Sequence, residues 1–285
     1  MKKRILAVFL ALGMLTCLLS ACGGATNQTS KSSDETSASS GQNSVDSEQN
    51  HANEITVGIA QDLDDSLDPY QMTAAGTREV MFNVFEGLVK PDSDGNFVDA
   101  VASEHSVSDD QLTYTFTLRD GVVFHNGAEC TVDDVLYSFE TCAATTVNSA
   151  VAEALSAIVD TKTEGNQISF TLPAPNSDFI SYVSNVYIVP KDYAEQATQP
   201  VGTGPFKYVS RSVQENVVLE KNADYYGEQA KLDKVTYKIF EDNTAMMTAL
   251  NAGGLDLVAH LTSDQVNTLT NGYDVLEGTM NLVQA

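Results

Sequence analysis

The sequence LTYTFTL at residues 112–118 alternates apolar with polar side chains, and this stretch decides the fold. Side chains along a β-strand point alternately to its two faces, so the leucines and aromatics share one face and three threonines share the other. The pattern predicts a strand with one buried face. Residues 122–124 are predicted to continue as a short strand, which ends in a turn at 125–127 because Asn-Gly between apolar residues favours a tight hairpin.

Helical and strand-like patterns alternate on both sides of this strand. An apolar stripe predicts a helix over 77–88, and the sequence TVDD at 131–134 is typical of a capped start for a helix over 132–143. A second helix follows over 150–158. Interspersed helices and strands indicate an α/β or α+β fold. Further strands are predicted at 55–59, 168–172, 206–210, 217–220, 235–240 and 255–258, and further helices from 243 or 244 to 251 and from 263 onward.

The N-terminus has the three-part layout of an export signal. A basic start precedes an apolar run over 5–19, and the sequence Leu19-Ser20-Ala21-Cys22 follows. A cysteine directly after the cleavage point is typical of bacterial lipoproteins, so residues 1–21 are predicted to be a lipoprotein signal peptide and Cys22 the lipid attachment site. The alternatives are a plain signal peptide or a membrane span, but the run is shorter than the roughly 20 residues that a span needs. Residues 22–53 are almost entirely polar, which predicts a flexible tether.

The charge of the chain excludes some partners. With 15 basic and 39 acidic residues, the 285-residue chain carries a formal charge of −24. Such a surface repels nucleic-acid phosphates and anionic lipid headgroups, so no nucleic-acid partner is expected. The charge could favour a cationic ligand, although solubility is the simpler and preferred explanation.

Two cysteines, Cys130 and Cys142, lie in the part of the chain with regular patterns. They stand at opposite ends of a predicted helix, roughly 16 Å apart along its axis. A disulfide requires Cα atoms about 4.4–6.8 Å apart. Both cysteines are therefore predicted to be unpaired and buried.

Several segments taken together resemble one family, the family 5 extracellular solute-binding proteins, which are the dipeptide-, oligopeptide- and nickel-binding components of ABC importers. The matching segments follow the order of the family over nearly all of residues 54–285. They are LDP at 67–69, NVFEGLV at 83–89, LTYTFTLRDGV at 112–122, FHNG at 124–127, TVDDV at 131–135, VGTGPF at 201–206, NADYY at 222–226, LDKV at 232–235 and the segment 250–256.

The resemblance implies an α/β fold, specifically a lobe of the type II periplasmic-binding-protein class with an inserted subdomain. It places the core of this first lobe in residues 54–93 and 200–280 and the inserted subdomain in residues 94–199. Residues 281–285 would start the crossover to a second lobe, which is missing from this sequence. The chain is therefore expected to be an N-terminal fragment that binds ligand poorly by itself.

The resemblance also suggests where a ligand binds. The loop after the first strand lies in the cleft of family members, so Gln61, Asp62 and Leu63 are candidate ligand-binding residues, with Asp62 expected to hold a positive end of the ligand. Asn148 belongs to a second loop that matches a cleft loop of the family. Glu86, on a predicted helix, and Asp133, in the first turn of another, are interpreted as structural rather than catalytic.

The resemblance implies a lipid-anchored receptor on the outer face of the cell membrane that captures short peptides and passes them to an ABC permease. A nickel complex, a sugar or haem is an alternative ligand. A lipid-anchored hydrolase is the alternative class, but the four histidines show neither a nucleophile–base pair nor a metal-ligand spacing. No enzyme activity, cofactor or metal site is expected.

Overall fold

The computed structural model describes residues 53–269 and 272–277, and the predicted signal peptide, Cys22, nearly all of the predicted tether and residues 281–285 lie outside this part of the chain. The described part contains a five-stranded, a four-stranded and a two-stranded sheet. In chain order its elements are β1 (Glu54–Ile59), α1 (Ala75–Met81), β2 (Val89–Pro91), β3 (Phe97–Asp99), β4 (Ala102–Val107), β5 (Thr113–Leu118), α2 (Val132–Ala144), α3 (Ser149–Ser156), β6 (Asp160–Glu164), β7 (Gln167–Thr171), α4 (Phe179–Val183), β8 (Phe206–Ser212), β9 (Asn216–Lys221), β10 (Lys234–Ile239), α5 (Asn243–Asn251), β11 (Leu257–Val258) and α6 (Ser263–Val266).

The five-stranded sheet has the order β11-β1-β10-β9-β8. Strand β1 runs parallel to both of its neighbours, with Val57 opposite Tyr237 on one side and Leu257 on the other. The carboxyl ends of β1, β10 and β11 therefore meet at one edge of the sheet. Open α/β sheets bind ligands outside this kind of edge. The loop that leaves β1 there, residues 60–74, thus starts at a favourable position for a binding site.

The four-stranded sheet has the order β4-β5-β7-β6 and is built around the decisive stretch of sequence. Tyr114, Phe116 and Leu118 of β5 are all buried, as the alternation predicts. The opposite face is polar, and Thr115 Oγ1 lies 2.8 Å from the hydroxyl of Ser169 on β7. Helix α2 covers the buried face, where Phe139 stacks on Phe170 with ring centroids 4.3 Å apart. Each buried aromatic contributes about 1.5–3 kcal/mol, so this layer is a major source of stability.

The helix predicted over 77–88 ends earlier than expected, at Met81. The side chain of Asn83 donates to the carbonyl of Val80 and the chain then turns. The carbonyls of Asn83 and Val84 accept hydrogen bonds from Phe206 and Gly204 instead of serving the helix. The stripe residues beyond Met81, which are Val84, Phe85 and Leu88, are still buried. The stripe therefore indicated burial correctly but not helical geometry.

The predicted strand over 122–124 is also wrong, because these residues form only an isolated bridge between Val123 and Glu129. The turn that follows is confirmed, with Gly127 at φ +83° and its amide 2.8 Å from the carbonyl of Phe124. Strands β2, β3, β4 and β6 and helix α4 were not predicted. Strand β6 is exposed along its whole length, so it shows no apolar alternation that sequence reasoning could detect.

The remaining predictions hold with small shifts of their ends. Helix α5 spans Asn243–Asn251, although its N-cap is Asp242, whose Oδ1 accepts from the amide of Ala245 at 2.8 Å. Cys130 and Cys142 are unpaired and buried, as predicted. Among residues 53–269 and 272–277, no helix is both long and apolar enough to cross a membrane.

Candidate functional site

Several of the segments that carry the family resemblance are connected by one network of hydrogen bonds. The amide of Gly204 donates to the carbonyl of Val84 at 2.9 Å, and the amide of His125 donates to the carbonyl of Gly202 at 2.9 Å. The ring Nε2 of His125 and the side-chain amide of Asn222 both lie 3.0 Å from the carbonyl oxygen of Gly204. These contacts join four of the matching segments. They give His125 a structural role, as its position beside a turn predicts.

The His125 ring should make the protein less stable in mild acid. Burial lowers its pKa from 6.5 to about 4, although the hydrogen bond to Gly204 opposes this shift. Between these pH values the unfolded chain binds a proton here and the folded chain does not, so the free energy of unfolding falls as the pH falls. At about pH 5 the loss is roughly 2 kcal/mol.

Urea unfolding at about pH 7.5 and about pH 5 tests this for the wild type and His125→Gln. We expect the variant to lose less stability on acidification than the wild type. An equal loss in both proteins would show that another group carries the acid sensitivity.

A second structural cluster surrounds the carboxylate of Glu86, which is only 5% exposed. Lys90 Nζ lies 2.6 Å from Oε1 and the hydroxyl of Tyr225 lies 2.8 Å from the same oxygen, while Tyr226 donates to Oε2. The guanidinium of Arg119 lies over the Tyr226 ring, 5.2 Å from its centroid. Both carboxylate oxygens of Glu86 are thus engaged by neighbouring side chains, in agreement with its interpretation as structural.

The loop after β1 is held in place by Arg211 of β8. Its guanidinium donates to the carbonyls of Asp64 at 2.6 Å and Leu63 at 2.8 Å, and to Asp62 Oδ1 at 3.0 Å. Asp62 Oδ2 accepts from the amide of Gln214 at 2.7 Å. The carboxylate of Asp62 therefore anchors the loop to the β8–β9 hairpin. Its expected contact with a ligand stays a prediction.

The other two candidate residues of this loop have different surroundings. The side chain of Leu63 is buried in the main apolar core, whereas Gln61 is exposed. Asp64, which was not predicted, accepts hydrogen bonds from the amides of Thr73 and Ala74 at 2.8 and 2.9 Å. Burial alone would raise the pKa of Asp64, but these hydrogen bonds outweigh it and lower the pKa. Asp64 thereby fixes the end of the loop at the start of α1.

Replacing Asp62 with alanine should destabilise the loop. Arg211 has a side chain that is only 9% exposed, and its charge would lose its acidic partner. Because the carbonyls of Asp64 and Leu63 remain, we expect a loss of about 2 kcal/mol in the free energy of unfolding, below the usual cost of breaking a fully buried pair.

The same variant tests the predicted ligand contact, since a lost charge-assisted hydrogen bond weakens binding roughly tenfold or more. Asp109→Ala, which removes an exposed carboxylate between β4 and β5, is the control for both measurements by urea unfolding and calorimetry. Unchanged stability of Asp62→Ala would contradict the anchoring role, and unchanged affinity would remove Asp62 from the binding site.

A small pocket lies where the loop after β1 meets the segment before α3. Its volume is about 40 Å³. The hydroxyl of Thr145 donates to the carbonyl of Tyr70 at 2.9 Å, and the hydroxyl of Tyr70 donates to the carbonyl of Tyr187, so these contacts fix the walls. Asn148, predicted from the resemblance, lines this pocket, whereas Gln61, Asp62 and Leu63 do not. The lining residues are Pro69, Tyr70, Arg78, Cys142, Thr145, Val147, Asn148, Asn185 and Tyr187.

Two side chains of this pocket, Arg78 and Tyr187, carry polar groups that can form hydrogen bonds with a ligand. The Arg78 guanidinium donates to the carbonyl of Met72 at 3.0 Å. Burial raises the pKa of Tyr187, and the positive charge of Arg78 partly offsets this shift. Arg78 and Tyr187 were missed by sequence reasoning, because Arg78 looks like an ordinary residue of a helix start. We take this pocket as the candidate functional site.

A larger, open pocket of about 630 Å³ lies at the end of β5. Some of its charged groups are engaged within the protein. Lys191 Nζ lies 2.7 Å from Asp133, and Asp134 accepts from Thr131 and from the amide of Lys191. None of the residues predicted to bind a ligand lines this pocket, so we do not take it as the candidate site. Within the described part of the chain, no group of three or more His, Cys, Asp or Glu residues is placed to hold a metal ion.

Known proteins resemble this chain in sequence. The family described as bacterial extracellular solute-binding proteins, family 5 Middle, matches residues 96–283. The nickel-binding periplasmic protein of Escherichia coli is 28% identical over 185 residues, which are 61% of this chain and 35% of that protein. The glutathione-binding protein GsiB of Pectobacterium atrosepticum is 28% identical over 215 residues, which are 72% of this chain and 41% of that protein.

Solved structures agree with the sequence relatives. The periplasmic binding protein DppA of Helicobacter pylori, in complex with the peptide STSA, aligns with a TM-score of 0.69 and 28% identity over 75% of this chain and 48% of its own. A nickel ABC transporter structure from Bacillus halodurans aligns with a TM-score of 0.66 and 27% identity over 77% of this chain and 46% of its own. The chain spans less than half the length of these relatives. The predicted type II periplasmic-binding-protein fold is confirmed, and the chain belongs to the family 5 bacterial extracellular solute-binding proteins.

Proposed function

We propose that this protein is the solute-binding component of an ABC importer, and that it captures short peptides and passes them to the membrane permease. Family membership supports the role in transport. The observation that carries the proposal is the pocket in which Tyr70, from the loop after β1, meets Asn148. Asn148, which was expected at a ligand cleft, and Tyr70, near the end of the loop after β1, thus line one cavity although they are far apart in sequence. A transport binding protein needs no catalytic group, so we propose no enzyme activity.

Short peptides suit this pocket. A peptide presents amides and a terminal carboxylate, which the side chains of Asn148, Tyr187 and Arg78 can bind by hydrogen bonds. The relative from Helicobacter pylori was solved with a bound peptide. Other relatives are named for nickel, so a nickel complex is the second candidate.

The proposal includes a division of the chain into residues 54–93 and 200–280 as the lobe core and 94–199 as an inserted subdomain. The sheet strands support this division. All five strands of the larger sheet come from residues 54–59 and 206–258, whereas all four strands of the second sheet come from residues 102–171.

Thermal unfolding of the intact protein tests the ligand. A mixture of di- and tripeptides should raise the melting temperature, because a ligand present at 100 times its Kd adds about 2.7 kcal/mol to the free energy of unfolding. Nickel–histidine, oligosaccharides and haem are the comparison ligands. Stabilisation by one of these and not by peptides would replace the proposed ligand, and no stabilisation by any of them would contradict the proposal as a whole.

We also propose that Cys22 carries a lipid that holds the protein on the outer face of the membrane. The support is the sequence Leu19-Ser20-Ala21-Cys22 and the polar stretch behind it. Cys22→Ser should release the protein from the membrane fraction or leave it unprocessed. A serine variant that fractionates and migrates like the wild type would contradict the anchor. Cys17→Ser, within the predicted signal, is the matched control and should behave as wild type.

A further inference from the structure

We infer that Arg78 makes the small pocket selective for ligands that present a carboxylate to it. This inference rests on the proposed function, because it places part of the captured ligand in that pocket. It concerns the chemical class of the ligand and is independent of the number of residues in the peptide.

The guanidinium of Arg78 is largely unoccupied. An arginine has five N–H donors, and the hydrogen bond to Met72 uses one of them. Most other basic side chains in the described ranges have an acidic partner, as Lys90 has Glu86 and Arg211 has Asp62. Arg78 has none among residues 53–269 and 272–277. Arg119 also lacks an acidic partner, but its guanidinium donates to the carbonyls of Ala100 and Ala102 and lies over the Tyr226 ring. Arg78 therefore keeps more free donors than the other arginines of the described ranges.

The pocket around Arg78 lacks acidic groups altogether. None of its nine lining residues is Asp or Glu. The nearby Asp68 accepts from the amide of Tyr70 and from the side chain of Gln71, and Glu79 lies 3.0 Å from the ring of His260. The neighbouring acids therefore have partners of their own. An anion entering the pocket meets Arg78 without a competing carboxylate.

Two further donors face the same space. The Tyr187 hydroxyl and the Asn148 side-chain amide have no hydrogen-bond partner within the described part of the chain, and both residues line the pocket with Arg78. A tyrosine hydroxyl is protonated at neutral pH, and burial raises the pKa of Tyr187 further, so its hydroxyl can donate. A guanidinium binds a carboxylate through two parallel hydrogen bonds. Together these groups form a site for one carboxylate.

The size of the pocket agrees with this assignment. A single water needs at least about 10–15 Å³ of such a cavity, so about 40 Å³ accommodates a carboxylate but not a whole dipeptide. The pocket is therefore a subsite that receives one end or one side chain of the ligand. The carboxylate can come from the C-terminus of a peptide or from an acidic side chain.

Calorimetry with four peptides distinguishes these sources. Ala-Glu-Ala and Ala-Gln-Ala are each used as the free acid and as the C-terminal amide. In the intact wild-type protein, removal of the carboxylate that Arg78 binds should weaken affinity more than about tenfold. In Arg78→Gln the same removal should cost less than about threefold. Lys231→Gln, which removes an exposed positive charge outside the pocket, should behave as wild type.

The outcomes separate this inference from the proposed function. The peptides could bind with the same affinity as acid and as amide and with Glu as with Gln, or the difference in affinity could persist in Arg78→Gln. Either result would show that the carboxylate subsite is wrong, while peptide capture would stand.

If no peptide binds, peptide capture fails, and NMR decides the subsite. Succinate, but not succinamide, should then shift the side-chain amide signal of Asn148, and the shift should vanish in Arg78→Gln. Absence of this shift in the wild type would overturn the subsite.

Discussion

Replacing Glu86 with alanine should lower the free energy of unfolding by about 3 kcal/mol, the lower end of the usual cost of breaking a buried ion pair, because the Lys90 side chain is 40% exposed. The substitution removes the acceptor for Tyr225 and Tyr226 and the counter-charge of Lys90. Burial alone would lower the pKa of Lys90, but Glu86 outweighs it and raises the pKa. Without Glu86, a partly buried ammonium would lack its partner. Urea unfolding measured at neutral pH gives the difference directly.

Two further variants make the test specific. Glu86→Gln keeps an oxygen acceptor but removes the charge, so its loss should be smaller than that of Glu86→Ala. Asp160→Ala breaks the exposed pair with Lys162, whose side chains are 49% and 78% exposed, and should cost less than about 0.5 kcal/mol. Similar losses for Glu86→Ala and Asp160→Ala would mean that the Glu86 cluster does not hold the fold together.

Sequence reasoning succeeded where a pattern is local. The alternation at 112–118 predicts β5 because burial of one face imposes a period of two on neighbouring residues. The helix predicted over 77–88 shows the limit of the same reasoning. Val84 and Leu88 are buried as a stripe requires, but the carbonyls of 83 and 84 bond to residues about 120 positions later. No local pattern contains that information.

The candidate site could be predicted only in part, for the same reason. Asn148 was expected at a cleft because its loop matches the family, and it lines the pocket. The environment of Asp62 is set by Arg211, which lies 149 residues later and carries no local signal in its strand. Arg78 occurs in the first turn of a predicted helix, where an arginine is common. Its lack of an acidic partner becomes visible only when the neighbours from other segments are known.

The segments that identify the family are mainly structural. Glu86, His125, Gly204 and Asn222 all belong to matching segments, and each bonds to another such segment rather than to the candidate pocket. The pocket itself depends on residues such as Arg78 and Tyr187, which lie outside those segments.

Gly202 shows how closely that framework is packed. It is buried, and a Cβ atom at this position would lie 2.2 Å from the carbonyl oxygen of Val84 and 2.7 Å from Cδ1 of Phe85. The carbonyl of Val84 cannot simply move away, because it accepts the hydrogen bond from Gly204. The clash is therefore with backbone that other contacts hold in place, rather than with the flexible end of a side chain.

Gly202→Ala should consequently lower the free energy of unfolding by about 3 kcal/mol, at the upper end of the usual cost of overpacking. Gly76→Ala is the matched control, because Gly76 lies in α1 and a Cβ there meets nothing within 4 Å. Alanine is the better helix former, so Gly76→Ala should stabilise the protein by about 0.5–1 kcal/mol. Urea unfolding of both variants and the wild type measures the two effects. If Gly202→Ala is as stable as the wild type, the contact between Gly202 and the Val84 carbonyl is not as tight as the structure places it.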